Sequence, residues 1–261
     1  MDAYEKVKLS RAKGRPTAAR YIEALFTDFI ELHGDRRFAD DQAIMGGIAL
    51  LDGKPVTVIG VEKGTDTMEK VQRNFGSPAP EGYRKALRLM KQAEKFHRPV
   101  FCIVDTSGAS CDMGAEERGQ GQAIAENLME MMTLKTPVIS LFIGEGGSGG
   151  ALALAVADQI WMMENAYYSV ISPEGCASIL WKDAKKVREA CQCLRLTAQD
   201  MLELETAERV FPEPEEGMEP VWQEIHAALA EAFAAAEQLP VEELLERRYQ
   251  RFRKFGQPAA E

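Results

Sequence analysis

The alternation of apolar and polar positions divides this chain into short buried strands and amphipathic helices. Apolar runs over 44–51 and 56–61 flank Asp52-Gly53, and read as a hairpin because that dipeptide supplies the left-handed backbone of a tight turn. The runs over 100–104, 138–143, 160–163 and 168–171 are short and continuous, and read as further strands. Helical spacing covers 16–32 after the Pro16 start, 81–97 with Tyr83, Leu87, Met90 and Ala93 on one face, and about 115–132. Beyond 182 the chain reads mostly as helix, with an acidic Pro-rich break over 211–217. There Val221, Ile225, Leu229, Ala232 and Phe233 form one apolar stripe, which faces either a core or a partner. Strands alternating with helices imply an α/β layered domain with helices covering a sheet.

Composition bounds the class. At 261 residues and 46% hydrophobic, the chain can bury a large core as one domain, with or without an appendage. No apolar run approaches the roughly 18 residues that would read as a membrane span. Residues 1–10 lack the apolar segment of a secretory signal, so a cytoplasmic location is expected. A formal charge of −10 argues against general nucleic-acid binding, which needs a basic surface. The cysteines at 102, 111, 176, 191 and 193 form an odd, scattered set. Only Cys191 and Cys193 are close, and no second pair completes a four-ligand zinc site, so reduced thiols and no metal are expected.

The candidate chemistry lies at 144–150, where five of seven residues are glycine, after an apolar strand and before an Ala/Leu helix that begins at or just after Ser148 and runs to Ala157. The first amides of a helix have no acceptor inside it and point outward, ready for a phosphate or an enolate oxygen. Three readings compete. Gly144-x-Gly146-x-x-Gly149 matches a dinucleotide fingerprint with Glu164 as the ribose acid, but the helix is short and the acid comes early. Gly146-x-Ser148-x-Gly150 matches a nucleophile elbow, which needs a later histidine; His226 is the only one, within the amphipathic C-terminal helix. In the third reading the Gly149 and Gly150 amides hold an oxyanion. Glu145 is the only titratable residue between Gly144 and Ala157, which suits a reaction whose substrate supplies the base. A second loop over 105–114 also follows a strand, and Gly108 and Ala109 are placed to line the same cleft. Asp112, Glu116 and Glu117 read as helix caps and dipole partners, and Cys111 as a bystander thiol.

These motifs occur together and in order. Asp105-Thr is followed by Gly-Ala-Glu-Glu-Arg-Gly-Gln at 114–120, Gly-Glu-Gly-Gly-Ser-Gly-Gly-Ala-Leu at 144–152 and Ser-Val-Ile-Ser-Pro-Glu-Gly-Cys-Ala-Ser-Ile-Leu-Trp-Lys at 169–182. Upstream stand Ala-Asp-Asp at 39–41, Gly-Gly-Ile at 46–48, Arg-Asn-Phe-Gly at 73–76 and the run from Pro80 to Met90. The set, from about Arg15 to Phe255, resembles the α subunit of bacterial acetyl-CoA carboxylase carboxyltransferase. That resemblance implies a crotonase-type α/β fold of repeated ββα units with a helical C-terminal extension. We divide the chain as an N-terminal helical segment (1–35), a crotonase-like domain (36–210) and the extension (211–261).

The implied activity is transfer of CO2 from carboxybiotin to acetyl-CoA, giving malonyl-CoA, the first committed step of fatty acid synthesis. The implied partners are a β subunit of the same fold in an α2β2 assembly, a biotin carboxyl carrier protein, and a biotin carboxylase that uses ATP. Zinc is expected in the β subunit rather than in this chain. Carried over residue by residue, the amides of Gly149 and Gly150 hold the biotin ureido oxygen, and Gly108, Ala109, Gly146, Gly147 and Ala151 line the substrate site. Ser148 becomes a turn and N-cap residue, and a bulky residue at Gly150 is expected to abolish transfer without disturbing assembly. Ser107, Ser110 and Asp112 depart from the family's usual Pro, Tyr and Gly, and are expected to loosen that loop or alter a contact. Arg36, Arg37, Lys63, Arg73 and Arg84 are candidates for the CoA phosphates. The alternatives are an acyl hydrolase or hydratase using the same loop, and a non-catalytic scaffold subunit.

Overall fold

The structure, a computed structural model, describes residues 1–214 and 216–256. An eight-stranded sheet forms its centre. Strands β1 (Thr27–Glu31), β2 (Ile44–Leu51) and β3 (Lys54–Val61) run antiparallel. The sheet continues in parallel through β4 (Val100–Thr106), β5 (Val138–Gly147) and β6 (Gln159–Met163). Strand β5 is long enough to pair twice, with β6 over 139–142 and with β7 (Tyr167–Ser169) over 145–147. Strand β8 (Arg209–Phe211) closes the far edge against β6. Between and around the strands lie α1 (Ala3–Ser10), α2 (Ala18–Leu25), α3 (Thr67–Gln72), α4 (Pro80–Lys95), α5 (Met113–Glu117), α6 (Gln120–Met132), α7 (Ser148–Leu152), α8 (Pro173–Trp181), α9 (Val187–Leu194), α10 (Ala198–Glu203), α11 (Glu219–Glu237) and α12 (Val241–Arg253).

Glycines in the hairpin set how close the helices come. A side chain at Gly46 would strike Leu89 of α4, and one at Gly60 would strike Ala18 of α2. Gly46 pairs with Ile59, so Gly60 points to the other face and the two helices cover opposite sides of the sheet. The stripe of α11 turns out to face the core: Val221, Ile225, Leu229 and Phe233 are buried, and Trp222 meets Tyr21 of α2 edge-on with ring centroids 6.3 Å apart. Helix α12 is fastened by Arg248, whose fully buried side chain binds Asp158 and the carbonyls of Met131, Leu134 and Thr136.

Four expectations are corrected. Helix α2 ends at Leu25, and the stretch read as helix to 32 continues as edge strand β1. A Cβ on Gly47 would lie 2.0 Å from the Ile30 carbonyl oxygen, so bare backbone on β2 lets β1 dock. Asp28, at φ 53, supplies the register shift. Gly119, at φ 84, splits the helix expected over 115–132 into α5 and α6. The Ala/Leu helix stops at Leu152 rather than 157, because Asn127 and Ser140 side chains donate to the Ala153 and Leu154 carbonyls and turn the chain toward β6. The stretch beyond 182 also contains β8. Residue 215 of the acidic break and residues 257–261 of the extension lie outside the described residues.

Candidate active site

Strand β5 enters α7 with no intervening loop. Gly147 is still extended, and Ser148, the first helical residue, sits at φ 50. Ser148 is therefore not the N-cap: Gly147 holds that position and no side chain caps the helix. Three glycines of the turn are imposed by contact with neighbouring backbone. A Cβ at Gly147 would lie 2.1 Å from the Ser107 carbonyl oxygen, one at Gly146 would lie 2.7 Å from that of Tyr167, and one at Gly150 would lie 2.5 Å from the Ala109 nitrogen. Gly149 differs, because its nearest neighbour would be Ile124 Cγ2 at 3.7 Å, an ordinary contact.

A hollow of about 320 Å³ opens beside α7, lined by Ser148, Gly149 and Leu152 on one side and by Tyr168, Ser169 and Val170 on the other, with Leu194, Met201 and Thr206. The predicted set thus divides. Gly149 reaches the hollow, whereas Gly146, Gly147 and Gly150 pack against neighbouring backbone, Gly108 and Ala109 are half-buried beside Gly150 without lining the hollow, and Ala151 is fully buried. A bulky residue at Gly150 would displace the turn itself as well as block an amide, because even a methyl there collides with the 108–109 backbone and the Tyr83 hydroxyl. That hydroxyl donates to the Gly150 carbonyl oxygen at 3.1 Å. Sequence reasoning placed Tyr83 on a helix face but gave no sign that its hydroxyl reaches the glycine turn. It also missed the apolar wall: the run read as a strand over 168–171 is strand β7 only to Ser169, and Val170 beyond it is 77% exposed, which no local pattern signals.

Among the described residues, no Asp, Glu, His or Lys lines the hollow. Glu145 opens instead on a separate cleft of about 660 Å³ beside residues 10–17. Burial alone would raise its pKa, but Lys63 and Arg11 hold it down at about 2, so it is a fixed anion and not a base. His226 contacts Asp52 in the hairpin turn, which removes the histidine a nucleophilic Ser148 needs. Helix α7, at five residues, also departs from the helix of a dinucleotide fold.

The 105–114 loop is tied down, not loosened. Asp112 accepts from the Ala115 amide at 2.9 Å as the N-cap of α5, the Ser110 hydroxyl donates to Asp112, and the Ser110 amide donates to the Pro78 carbonyl. Two of the three departures thus build a cap. None of the five cations considered for CoA phosphates lines the hollow. Arg36 donates to the His33 carbonyl, Arg37 lies 3.8 Å from Glu126, Lys63 joins Glu145 and Asp105, Arg73 donates to the Gln42 carbonyl, and Arg84 binds Asp35. Among the described residues, no group of three or more His, Cys, Asp or Glu is placed to share a metal ion, and no helix is long and apolar enough to cross a membrane.

Comparison with known proteins places this geometry. Residues 1–256 match the family model described as acetyl co-enzyme A carboxylase carboxyltransferase-like. The chain is 56% identical over 256 residues to the acetyl-coenzyme A carboxylase carboxyl transferase subunit alpha of Ruminiclostridium cellulolyticum, covering 98% of each chain. It is 55% identical to the protein named subunits beta/alpha in Natranaerobius thermophilus, covering 97% of this chain and 42% of that one. Among solved structures, transcarboxylase 12S with methylmalonyl-coenzyme A bound superposes with a TM-score of 0.71 at 17% identity, over 87% of this chain and 42% of that chain. A Pseudomonas malonate decarboxylase hetero-tetramer in complex with coenzyme A gives 0.68 at 18% identity, over 87% and 90%. These likenesses carry the fold, which is the crotonase type. The extent and level of the sequence match carry the rest: the chain belongs to the acetyl co-enzyme A carboxylase carboxyltransferase family, among its α subunits.

Proposed function

We propose that this chain is the α half of a split carboxyltransferase, which moves CO2 from carboxybiotin to acetyl-CoA and yields malonyl-CoA in the cytoplasm. The observation that carries the residue-level reading is Gly149. It is the glycine of the turn that packing does not require, and it borders the hollow. A wall of Leu152, Tyr168, Val170, Leu194 and Met201 with an outward first-turn amide suits a largely apolar ring bearing one polar oxygen. Carboxybiotin, borne on a separate carrier protein, would supply the CO2 there.

The chain's own contribution is electrostatic. Of the two expected donors, the Gly149 amide borders the hollow and would face the oxygen on which negative charge develops, with Gly150 framing the turn behind it; such a donor typically stabilises the transition state by about 2.7–4 kcal/mol. Because these donors are backbone, they need no reorganisation and no titratable partner, which agrees with a hollow free of acids and bases. The acyl group would be activated by a β-type chain, with zinc held there, in an α2β2 assembly. A biotin carboxylase would recharge the carrier using ATP. The test is malonyl-CoA decarboxylation coupled to carboxylation of free biotin, measured for this chain alone and co-expressed with a β-type chain. Activity only in the mixture is expected; a mixture that assembles and stays inactive refutes the reading.

A further inference from the structure

Glu145 stands immediately before the Gly146–Gly147 step, and both its main chain and its side chain are held. Its amide donates to Asp105 Oδ1 at 2.8 Å. Its carboxylate accepts from Arg11 Nε at 2.8 Å and the Tyr167 hydroxyl at 2.9 Å on Oε1, and from Lys63 Nζ at 2.8 Å on Oε2. Lys63 also lies 2.7 Å from Asp105 Oδ1, which closes the ring. Arg11 leaves the end of α1 and reaches further, to Glu174 in the first turn of α8 at 2.6 Å.

A carboxylate enclosed this far is replaced by apolar packing in many proteins without loss of stability, so ion pairing here needs another reason. Geometry supplies one. Three residues on, Ser148 occupies φ 50, a conformation that a non-glycine residue keeps only where its surroundings over-determine it. The cluster also bridges the two sides of the hollow from behind. Glu145 precedes the Ser148–Gly149 side on β5, while Tyr167 directly precedes Tyr168, Ser169 and Val170 of the opposite side. Arg11 touches Glu145, Tyr167 and Glu174.

We propose that Glu145 is a positioning residue and that Arg11, from the N-terminal arm, acts through it to fix the Gly146–Gly150 turn and so aim the Gly149 amide. The inference rests on the carboxyltransferase reading for its kinetic consequence but not for its geometry. The arm has a second anchor that serves as a control: Arg188 of α9 binds Asp2 and Glu5 without touching Glu145.

The experiment compares Arg11→Met, Arg11→Lys and Arg188→Met in the chain co-expressed with a β-type partner, scoring kcat and KM for malonyl-CoA in the biotin-coupled assay. Misplacing a reacting group by a fraction of an ångström lowers kcat, so Arg11→Met should lose about tenfold in kcat with KM within about twofold. Arg11→Lys should recover part of that loss, and Arg188→Met should keep the wild-type kcat. An unchanged kcat in Arg11→Met, or an equal loss in Arg188→Met, overturns the proposal. Amide hydrogen exchange over 145–153 gives a readout free of activity: Arg11→Met should speed exchange there about fivefold or more, and Arg188→Met should not. If the wild-type assembly is inactive, the functional reading fails, and unchanged exchange in Arg11→Met would then still sink the positioning role on its own.

Discussion

A backbone donor is removed only by removing its hydrogen, and Gly149 permits that change. Gly149→Pro deletes the N–H while keeping the residue in the first turn of α7, where a proline costs the helix no internal hydrogen bond. Proline favours extended backbone in the residue before it, and Ser148 at φ 50 is not extended, so the variant counts only where it assembles as the wild type does. Gly149→Ala is the matched control, since its Cβ would sit 3.7 Å from Ile124 Cγ2, a normal contact, and its N–H remains. One oxyanion donor is worth about 2.7–4 kcal/mol, so kcat should fall by about 10²–10³ in Gly149→Pro. In Gly149→Ala it should stay within about threefold of wild type, because every donor is retained. The assay is biotin-coupled malonyl-CoA decarboxylation by the chain assembled with a β-type partner, with thermal unfolding and gel filtration confirming equal assembly. A correctly assembled Gly149→Pro enzyme within about tenfold of the alanine variant would refute the assignment of this amide to the oxyanion.

Other expectations follow from the same geometry. Tyr83→Phe removes the donor to the Gly150 carbonyl and should cost about 0.5–1.5 kcal/mol in urea unfolding. It should also lower kcat, whereas an unchanged kcat would show that the carbonyl needs no anchor. Arg248→Met leaves Asp158 and three carbonyls without their buried guanidinium, and should destabilise the chain by about 3–5 kcal/mol, or about 6–20 °C in a thermal melt. The neighbouring exposed Arg247→Met, which loses a surface pair with Glu243, should stay within about 0.5 kcal/mol.

The acid limb of stability should carry Glu145. Burial opposes its ionisation, but Lys63 and Arg11 prevail, and its pKa drops from 4.5 to about 2. A pKa lower in the folded state contributes stability that is complete above about 4.5 and is lost as pH falls toward 2. Asp40, also held at about 2 against burial by Lys85 and the Gly34 amide, adds to that slope, and Asp41, raised by burial, opposes it. Denaturation midpoints should therefore be flat from neutral pH to about 5 and fall below it, and Glu145→Gln should flatten the fall.

Local signals were legible where one element determines its own shape. Asp52 and Gly53, both at positive φ, form the expected hairpin turn, and the apolar run before Gly144 forms β5. What local pattern lacks is contact across the chain. Strand β1 exists because Gly47 offers bare backbone, and nothing within 16–32 records that. Gly149 and Gly150 are equivalent letters in the sequence, yet one borders a hollow and the other is pressed against the 108–109 backbone. Arg11 and Glu145 meet across a separation of 134 residues, which no periodicity encodes.

A site built from main-chain amides has a requirement that side-chain sites escape: an amide is aimed only by fixing the chain before and after it. Helix α7, with five residues, is too short to hold its own conformation. It is clamped from outside instead. Glu145 is locked on its N-terminal side, Tyr83 holds the Gly150 carbonyl, and Asn127 and Ser140 take the carbonyls that follow it. Every clamp acts from the sheet or from a helix packed on it, and none comes from the hollow. That side carries Val170 at 77% exposure, and Ile179 and Leu180 of α8 are exposed as well. A rigid back and an uncovered apolar front are what a half-site needs if a second chain supplies the facing wall, and the proposed β partner would close over the front without having to order the turn.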